Sequence, residues 1–248
     1  MMSKKHTVLL TSAVYSNYGI YTPQDRIQQT LDTAKSARKY LPDALIILVD
    51  NSKVDVQNDT SAEFEELIDT VDYYIDNSDD ADIQHFHNNV TNYDIGKNSM
   101  EVLGLIKALT YINQTEDLLK EVKATSRIFK LSGRYQLTDK FDITAFDNAN
   151  TKDKYVFKTR QPGWCNPQVT GVTSLLQTRL YSFTPSMLAD TLNVFNNIIQ
   201  NMFNTFNQNA YIDVEHSMVK FLPADKIVEL ETVGLMGNIA PNGMMIID

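Results

Sequence analysis

The chain has 248 residues, of which 43% are hydrophobic, and this is enough apolar material for the packed core of one large α/β domain. Its formal net charge is −9, from 31 acidic and 22 basic residues, so a broad nucleic-acid-binding face is not expected. No apolar run approaches the roughly 20 residues needed to span a bilayer. These features predict an acidic, cytoplasmic protein that still has room for a local basic cleft.

Cysteine content gives a second constraint. Cys165 is the single cysteine, so no intrachain disulfide can form and a reducing compartment is expected. No histidine stands near it in the sequence, so a thiol nucleophile is not expected. The apolar stretch that ends near Val14 is too short for a secretory signal and favours a first strand.

The N-terminal half alternates short apolar runs with helical patterns. Thr22 is typical of a helix N-cap, and Pro23 and Asp25 follow it in the first turn. Continuous apolar runs predict buried strands at 7–14, 44–49, 71–75 and 128–131. Two more helices are predicted at 61–70 and 96–112, and a polar loop is predicted at 78–93. Such apolar strands between helices predict a mostly parallel sheet covered on both faces.

The C-terminal half is less regular. Strands are predicted at 154–159, 174–183 and 226–232. A long helix at 185–207 and a short helix at 213–222 follow from helical spacing of apolar residues. Proline, glycine and the only tryptophan, Trp164, mark 161–171 as a loop. All of these elements fit one compact domain.

Three of the predicted strands end in polar residues. Thr11 and Ser12 end the first strand, Asp50 follows the second, and a basic cluster at 130–134 ends the fourth. Parallel sheets bind ligands in the crevice beyond the carboxyl ends of their strands, so these groups are expected to converge on one ligand. The alternative for Asp50 is a simple turn, because Asp50-Asn51-Ser52 is also typical turn sequence.

The basic cluster contains Lys130, Ser132, Gly133 and Arg134. In an extended strand, period-two spacing places Lys130, Ser132 and Arg134 on one face. Arginine offers a fork of donors suited to phosphate oxygens, lysine offers a point charge, and Gly133 lets a ligand approach the backbone. The cluster therefore favours an anionic ligand. The alternative is that its cations pair with some of the many carboxylates.

Two further groups of residues could carry chemistry. Asp213 and Glu215 lie in the first turn of a predicted helix, where they either cap it or supply a general base. His85 and His87 lie close to three aspartates and could bind a metal, although such a pair in a polar loop is more often solvated. No Gly-rich phosphate loop or Gly-x-Ser-x-Gly motif is present.

The order of these motifs carries a family resemblance. The residues concerned are Arg26, Gln29, Thr30 and Thr33 in the first helix, and the segments 48–52 (LVDNS), 96–100 (GKNSM), 130–135 (KLSGRY) and 213–218 (DVEHSM). Their order resembles the nucleotide-sugar-binding domain of GT-A fold glycosyltransferases. The KLSGRY version is similar to one in small bacterial and viral glycosyltransferase-like proteins. The resemblance covers 7–137 well and 211–222 loosely.

The resemblance implies a function and a set of site residues. The implied reaction moves a sugar from a nucleotide-sugar donor, most readily a UDP-sugar, to a hydroxyl of a glycan or other acceptor, with inversion. Residues 7–137 would form the donor half and 138–248 the acceptor half. The implied donor-site residues are Thr11, Ser12, Arg26, Asp50, Lys97, Asn98, Lys130, Ser132, Gly133 and Arg134. Glu215, or else Asp213, would be the base. Trp164 and Tyr181 are candidates for the acceptor face, because sugars stack on aromatic rings, and core packing is the alternative for both.

The sequence departs from the family at the end of the fourth strand. GT-A enzymes normally carry Asp-x-Asp there to hold a divalent metal on the diphosphate, and this chain has Ser132-Gly133-Arg134. A manganese or magnesium ion is therefore possible but not required, because Lys130 and Arg134 can stabilise the diphosphate instead. Two alternatives stay open: a non-catalytic nucleotide- or sugar-binding protein and a sugar nucleotidyltransferase. The latter normally needs a Gly-rich loop and metal-binding acids.

Overall fold

The structure is a computed structural model that describes residues 4–239 and 242–248. The strands are β1 His6–Ser12, β2 Ala44–Asp50, β3 Tyr73–Asp76, β4 Arg127–Ser132, β5 Tyr135–Leu137, β6 Tyr155–Lys158, β7 Gln161–Pro162, β8 Ser174–Leu175, β9 Leu180–Phe183, β10 Ile227–Leu230, β11 Leu235–Asn238 and β12 Met245–Ile247. The helices are α1 Pro23–Tyr40, α2 Ala62–Thr70, α3 Ala81–Asn89, α4 Tyr93–Gln114, α5 Glu116–Lys123, α6 Ile143–Phe146, α7 Pro167–Thr170, α8 Leu188–Asn207 and α9 Val214–Phe221.

One seven-stranded sheet organises the domain, in the order β10-β6-β9-β4-β1-β2-β3. All neighbouring pairs are parallel except those that involve β9, which runs antiparallel to β4 and β6. The predicted mostly parallel sheet in a single α/β domain is confirmed. Among the described residues, no helix combines the length and the apolar character of a membrane span.

Helices cover both faces of the sheet, so its central strands are buried on both sides. On one face, α4, α5, α8 and α9 pack around Leu105, Leu109 and Phe195. On the other face, α1 and α2 pack Leu31 and Leu67 against the sheet. Burial on both faces is the physical reason why β1, β2 and β4 carry runs of adjacent apolar residues rather than a strict alternation.

Local signals at the start of α1 are confirmed. The Thr22 hydroxyl accepts from the Asp25 amide at 3.2 Å, and the Asp25 carboxylate accepts from the Thr22 amide at 3.0 Å. This reciprocal pair satisfies amides that have no partner within the helix. Pro23 occupies the first helical position, where its missing N–H costs nothing.

Several predicted elements were wrong. The stretch 78–93 is not a loop, because it contains α3, whose N-cap Asp80 accepts from the Asp82 and Ile83 amides. Helix α5 was missed altogether. The predicted strand 174–183 is two short strands, β8 and β9, with an unpaired segment between them. Helix α3 is short and polar, so it leaves little periodic signal. Helix α5 was missed although Leu118 and Val122 lie four residues apart on its buried face.

Candidate active site

A cleft opens to solvent at the carboxyl ends of β1, β2 and β4. Its lining residues are Thr11, Ser12, Ala13, Ser16, Tyr18, Arg26, Asn51, Tyr93, Lys97, Met100, Glu101, Ser132 and Arg134. Six of the ten predicted donor-site residues are among them: Thr11, Ser12, Arg26, Lys97, Ser132 and Arg134. All thirteen residues fall within 7–137, the predicted donor half.

Strand register brings the polar strand ends together. Ser12 of β1 lies beside Asp50 of β2, and Thr11 lies beside Ser132 of β4. The Ser12 hydroxyl also bonds the Thr30 hydroxyl of α1 at 3.0 Å. Because these parallel strands stop at the same level, their ends form one polar floor beneath the cleft.

Arg26 is a buried cation without a carboxylate partner among the described residues. It is 6% exposed, and its guanidinium donates to the backbone carbonyls of Ala13, Tyr18 and Tyr21. Burial and the positive charge of Arg134 lower its pKa to about 10. A buried charge usually has an opposite partner, so Arg26 both fixes the wall formed by 13–21 and leaves the cleft in need of an anion.

Two further cations face the cleft. Lys97 and Arg134 are partly exposed and form no ion pair among the residues that the structure describes. The Arg134 Nε atom is buried and has no hydrogen-bond partner within the same residues. An unpartnered buried donor costs free energy until a ligand satisfies it. Arg26, Lys97 and Arg134 therefore form a cationic cleft in a protein whose net charge is −9.

Lys130 lies behind the cleft rather than in its lining. Its ammonium is fully buried and donates to Glu101 at 2.6 Å, to the Ser132 hydroxyl at 2.7 Å and to the Thr178 carbonyl at 2.8 Å. All three ammonium protons are used in these hydrogen bonds. Lys130 therefore forms the ion pair with a carboxylate that was the alternative to direct contact with an anionic ligand. Burial opposes ionisation of Glu101, but the charge of Lys130 outweighs it and lowers the Glu101 pKa to about 2.

Gly133 is needed for backbone packing at this strand end. Its amide donates to the Thr11 carbonyl at 2.8 Å. A Cβ atom would lie 3.0 Å from the Thr30 hydroxyl oxygen and 3.1 Å from the Thr11 carbonyl oxygen. The groups that pack tightly against Gly133 are therefore the backbone of β1 and the Thr30 side chain of α1. Gly133 is absent from the cleft lining, and a ligand contact there stays a prediction.

Asp50 is also outside the lining. It is 1% exposed, its Oδ1 accepts from the Val14 amide at 3.1 Å, and its Oδ2 has no partner in the described part of the chain. Burial raises its pKa to about 6. The bond to Val14 holds the β1–α1 loop against β2, so Asp50 shapes the cleft wall from beneath.

We expect Asp50→Asn to stabilise the protein at pH 8 by up to about 3 kcal/mol. Burial raises the folded-state pKa of Asp50 above its unfolded value. The wild-type protein therefore keeps its full stability at low pH and loses part of it as the pH rises through about 6, where this buried carboxyl ionises. Asparagine keeps the acceptor oxygen for Val14. Urea unfolding at pH 8 and pH 4.5 measures the difference, which should shrink at pH 4.5. Equal stability of the two proteins at pH 8 would show that the carboxylate is better solvated than this.

Asp213 caps α9 and is 3% exposed. Its Oδ1 accepts from the His216 amide at 2.8 Å and lies 2.7 Å from His216 Nδ1. His216 Nε2 in turn accepts from the Cys165 amide at 3.3 Å. With Nε2 as an acceptor, Nδ1 carries the proton and donates it to Asp213. Asp213 is therefore held by a cap and by a histidine, which are structural tasks.

Glu215 lies on the first turn of α9 and has fewer partners. Its Oε1 accepts a long bond of 3.4 Å from the Thr178 amide. Burial and the negative charge of Asp213 raise its pKa, and the positive charges of Lys97 and Arg179 oppose this rise. Lys97 lines the cleft, so Glu215 lies within electrostatic reach of the cleft. Between the two acids, Glu215 is the better placed to take up a proton.

The other sequence candidates take different positions. Tyr181 is 1% exposed and stacks on Phe157 with centroids 4.9 Å apart, so its predicted acceptor role is wrong and it belongs to the core. His87 is buried, with Nε2 2.8 Å from the Asn51 carbonyl oxygen, while His85 is exposed on α3. Only His87 is buried, so the two rings do not form a shared metal site. Asn98 is buried and donates to the Tyr211 hydroxyl at 2.9 Å.

Cys165 does have a histidine neighbour in space. Cys165, Asp213 and His216 place their ligand atoms within 4.8 Å of one another, the one such trio of possible metal ligands found in residues 4–239 and 242–248. Both ring nitrogens of His216 already take part in hydrogen bonds. Burial and the charge of Asp213 raise the Cys165 pKa to about 12, so the thiol stays protonated and is a poor nucleophile.

Sequence reasoning missed several lining residues, notably Tyr18, Tyr93 and Glu101. Glu101 lies one helical turn after Lys97, and this i, i+4 spacing on α4 could have revealed it. Tyr18 donates to the Phe86 and Val90 carbonyls. Because both carbonyls belong to the stretch predicted as a loop, nothing in the sequence pattern linked Tyr18 to the cleft.

Comparison with known proteins supports the architecture. No family model and no curated protein sequence matches the chain. An active-site mutant of LgtC, a galactosyltransferase, is similar in structure, with a TM-score of 0.51, 10% identity, and coverage of 90% of this chain and 72% of that chain. This chain has the GT-A fold. At such an identity the likeness shows the fold and not the reaction.

Two further solved structures show weaker likeness to this GT-A fold chain. A glycosyltransferase involved in glycosylation of the major capsid of PBCV-1 has a TM-score of 0.44 at 11% identity, covering 92% of this chain and 81% of that chain. The core-mannan synthase A from Aspergillus fumigatus, in its Mn/GDP form, has a TM-score of 0.48 at 10% identity, covering 96% of this chain and 76% of that chain.

Proposed function

We propose that this protein is a glycosyltransferase that moves a sugar from a nucleotide-sugar donor to an acceptor hydroxyl. The main support for this proposal is the cleft at the carboxyl ends of β1, β2 and β4. Three cations in it, Arg26, Lys97 and Arg134, lack carboxylate partners among the described residues. A diphosphate is an anion of matching charge, and arginine binds its oxygens through two parallel bonds. A UDP-sugar is the first donor to test, and 7–137 is the proposed donor half.

The proposed reaction is a single displacement. Glu215 accepts the proton of the acceptor hydroxyl, and the hydroxyl oxygen forms a bond to the anomeric carbon of the sugar. The bond from that carbon to the phosphate oxygen breaks, and its electron pair leaves with the nucleoside diphosphate. Lys97 and Arg134 stabilise the developing charge. This displacement inverts the anomeric centre, and proton NMR of the product can read its configuration.

Lys130 acts from behind the cleft in this proposal. Its bond to Ser132 positions a hydroxyl in the lining, and its pairing with Glu101 neutralises the one carboxylate there. Lys130 therefore contributes by keeping the cleft positive rather than by contacting phosphate in this state.

The cleft does not fit a divalent metal. Glu101 is the only carboxylate among its lining residues; it is paired with Lys130 and lies near Lys97 and Arg134. A divalent cation prefers several free carboxylate or carbonyl oxygens, and here it would meet cations instead. No step of the proposed reaction is routed through a metal.

A thermal-shift panel tests the donor proposal. UDP-, GDP-, CMP- and dTDP-sugars are each added with manganese and with EDTA. A donor at about 100 times its Kd should stabilise the fold by roughly 2.7 kcal/mol, or about 5–10 °C in Tm for a chain of this size. We expect one nucleotide class to shift the Tm equally in EDTA. A shift only with manganese would overturn the metal-free cleft, and binding without any donor turnover would favour a non-catalytic binding protein.

A further inference from the structure

An exposed aromatic surface lies in the C-terminal half. Trp164 is 61% exposed, and its indole stacks on Tyr211 with ring centroids 5.6 Å apart and planes inclined by 28°. Tyr211 stacks in turn on Phe206 of α8 at 5.9 Å and 19°. We call Trp164 and Tyr211 the aromatic platform. A large aromatic ring left in water at the top of an ordered stack is typical of a binding surface.

The platform is fixed from below. The Trp164 ring meets the His216 ring edge-on at 5.5 Å, and His216 is fully buried. Gly163 lies so close to this histidine that a Cβ would come within 2.8 Å of Nε2. With the adjacent Cys165 amide bonded to the same nitrogen, the backbone on both sides of Trp164 is tied to α9. The indole is therefore preorganised rather than loosely placed.

Polar groups border the platform on the side of the cleft. Asn98 of α4 donates to the Tyr211 hydroxyl. Asn98 directly follows Lys97, which lines the cleft. Asp94 adjoins the platform, because Asn98 also donates to the Asp94 backbone carbonyl at 2.9 Å. Glu215 directly precedes His216 on α9, and the His216 ring meets the Trp164 ring. An apolar face bordered by carboxylates suits a neutral molecule with one C–H face and several hydroxyl groups. The same carboxylates repel anionic acceptors such as nucleic acids.

We propose that the aromatic platform binds a neutral pyranoside, the non-reducing end of a saccharide acceptor. One face of the pyranose ring lies on the indole, and hydroxyl groups at its edge donate to Asp94 and Glu215. As an acceptor subsite the proposal rests on the proposed glycosyl transfer, but the binding of the saccharide does not depend on donor turnover. Because Glu215 borders the platform, the acceptor hydroxyl is delivered beside the proposed base.

Intrinsic fluorescence tests this directly, because Trp164 is the only tryptophan in the chain. The full-length protein is titrated with methyl β-glucoside, methyl β-galactoside, maltose, lactose and cellobiose, with and without UDP. We expect at least one saccharide to shift or quench the emission in a saturable way. By calorimetry, Trp164→Ala should weaken that saccharide at least tenfold, and Trp164→Phe should retain part of the affinity. Tyr111→Ala removes an exposed aromatic ring on α4 and should leave the saccharide affinity unchanged.

The outcomes separate this inference from the proposed function. If UDP raises the Tm but no saccharide changes the emission, the pyranoside subsite is wrong and the donor site stands. If a saccharide binds through Trp164 and no nucleotide raises the Tm, the subsite stands and the donor proposal fails. Quenching by uridine or by an octyl detergent, with no response to saccharides, would replace the pyranoside with a nucleoside or an acyl chain and overturn the inference.

Discussion

Replacing Arg134 with alanine is expected to weaken nucleotide-sugar binding by about 30- to 1,000-fold, equivalent to roughly 2–4 kcal/mol. Arg134 lines the cleft, and in the described part of the chain its Nε has no partner and no carboxylate pairs with it. Its removal should therefore cost ligand affinity and little stability. Calorimetric titration with UDP and thermal unfolding without ligand measure the two quantities separately.

Two variants control this experiment. Arg134→Lys keeps the charge but loses the planar fork of donors, so its affinity should fall between those of the wild type and the alanine variant. Lys152→Ala removes one exposed positive charge just before the amino end of β6, whereas the cleft lies at the carboxyl ends of the strands. This variant should leave the affinity for UDP unchanged. An alanine variant at position 134 that binds UDP as well as the wild type would remove the diphosphate from this part of the cleft.

Replacing Glu215 with glutamine is expected to lower donor turnover by about 100- to 10,000-fold, because the acceptor hydroxyl loses its base. Glutamine is nearly isosteric and can keep the long bond from the Thr178 amide. Binding of UDP should be unchanged, since Glu215 is not among the residues that line the cleft. Comparing kcat with the Kd for UDP separates loss of chemistry from loss of binding.

The pH profile gives Glu215 a second signature. Burial and the charge of Asp213 raise its pKa, and the neighbouring charged groups that also act on it are Lys97, Arg179 and Glu101. A base must be deprotonated, so kcat should fall on the acidic side with a midpoint above the ordinary glutamate value of about 4.3. Glu63→Gln, an exposed change on α2, should keep the wild-type profile. An unchanged kcat for Glu215→Gln would rule it out as the base.

The sequence predicted the sheet and the place of the cleft because both follow from chain-local signals. β1, β2 and β4 are buried on both faces, and such strands favour adjacent apolar residues. β1 and β4 end in Ser12 and Ser132, whose polar groups reach the cleft, whereas Asp50 at the end of β2 stays buried beneath it. Parallel register then aligns these ends, which is why six of ten predicted donor-site residues meet in one cleft.

The same signals could not assign partners. Period-two spacing explains why the Lys130 ammonium reaches the Ser132 hydroxyl, but Arg134 lies in the turn between β4 and β5. Only the packing of α4 brings Glu101 to within 2.6 Å of the Lys130 ammonium. Tyr181 appeared equally suited to an acceptor face, although β9 is covered on that side by α4 and α8 residues. Helix α3 depends on the Asp80 cap and on contacts with α4, so its polar sequence resembled a loop.

The amino-acid sequence by itself determined the apolar strands, the capped helices, the excess of acidic residues and the polar strand ends. These are properties of neighbouring residues, governed by periodicity and by the hydrogen-bonding needs of the backbone. Only the tertiary structure decided which cations stay unpaired among the described residues, that Glu215 is less committed to other partners than Asp213, and that Trp164 rests on Tyr211. Those outcomes depend on which groups meet across the fold, because burial and distance set the cost of a charge and the exposure of a ring.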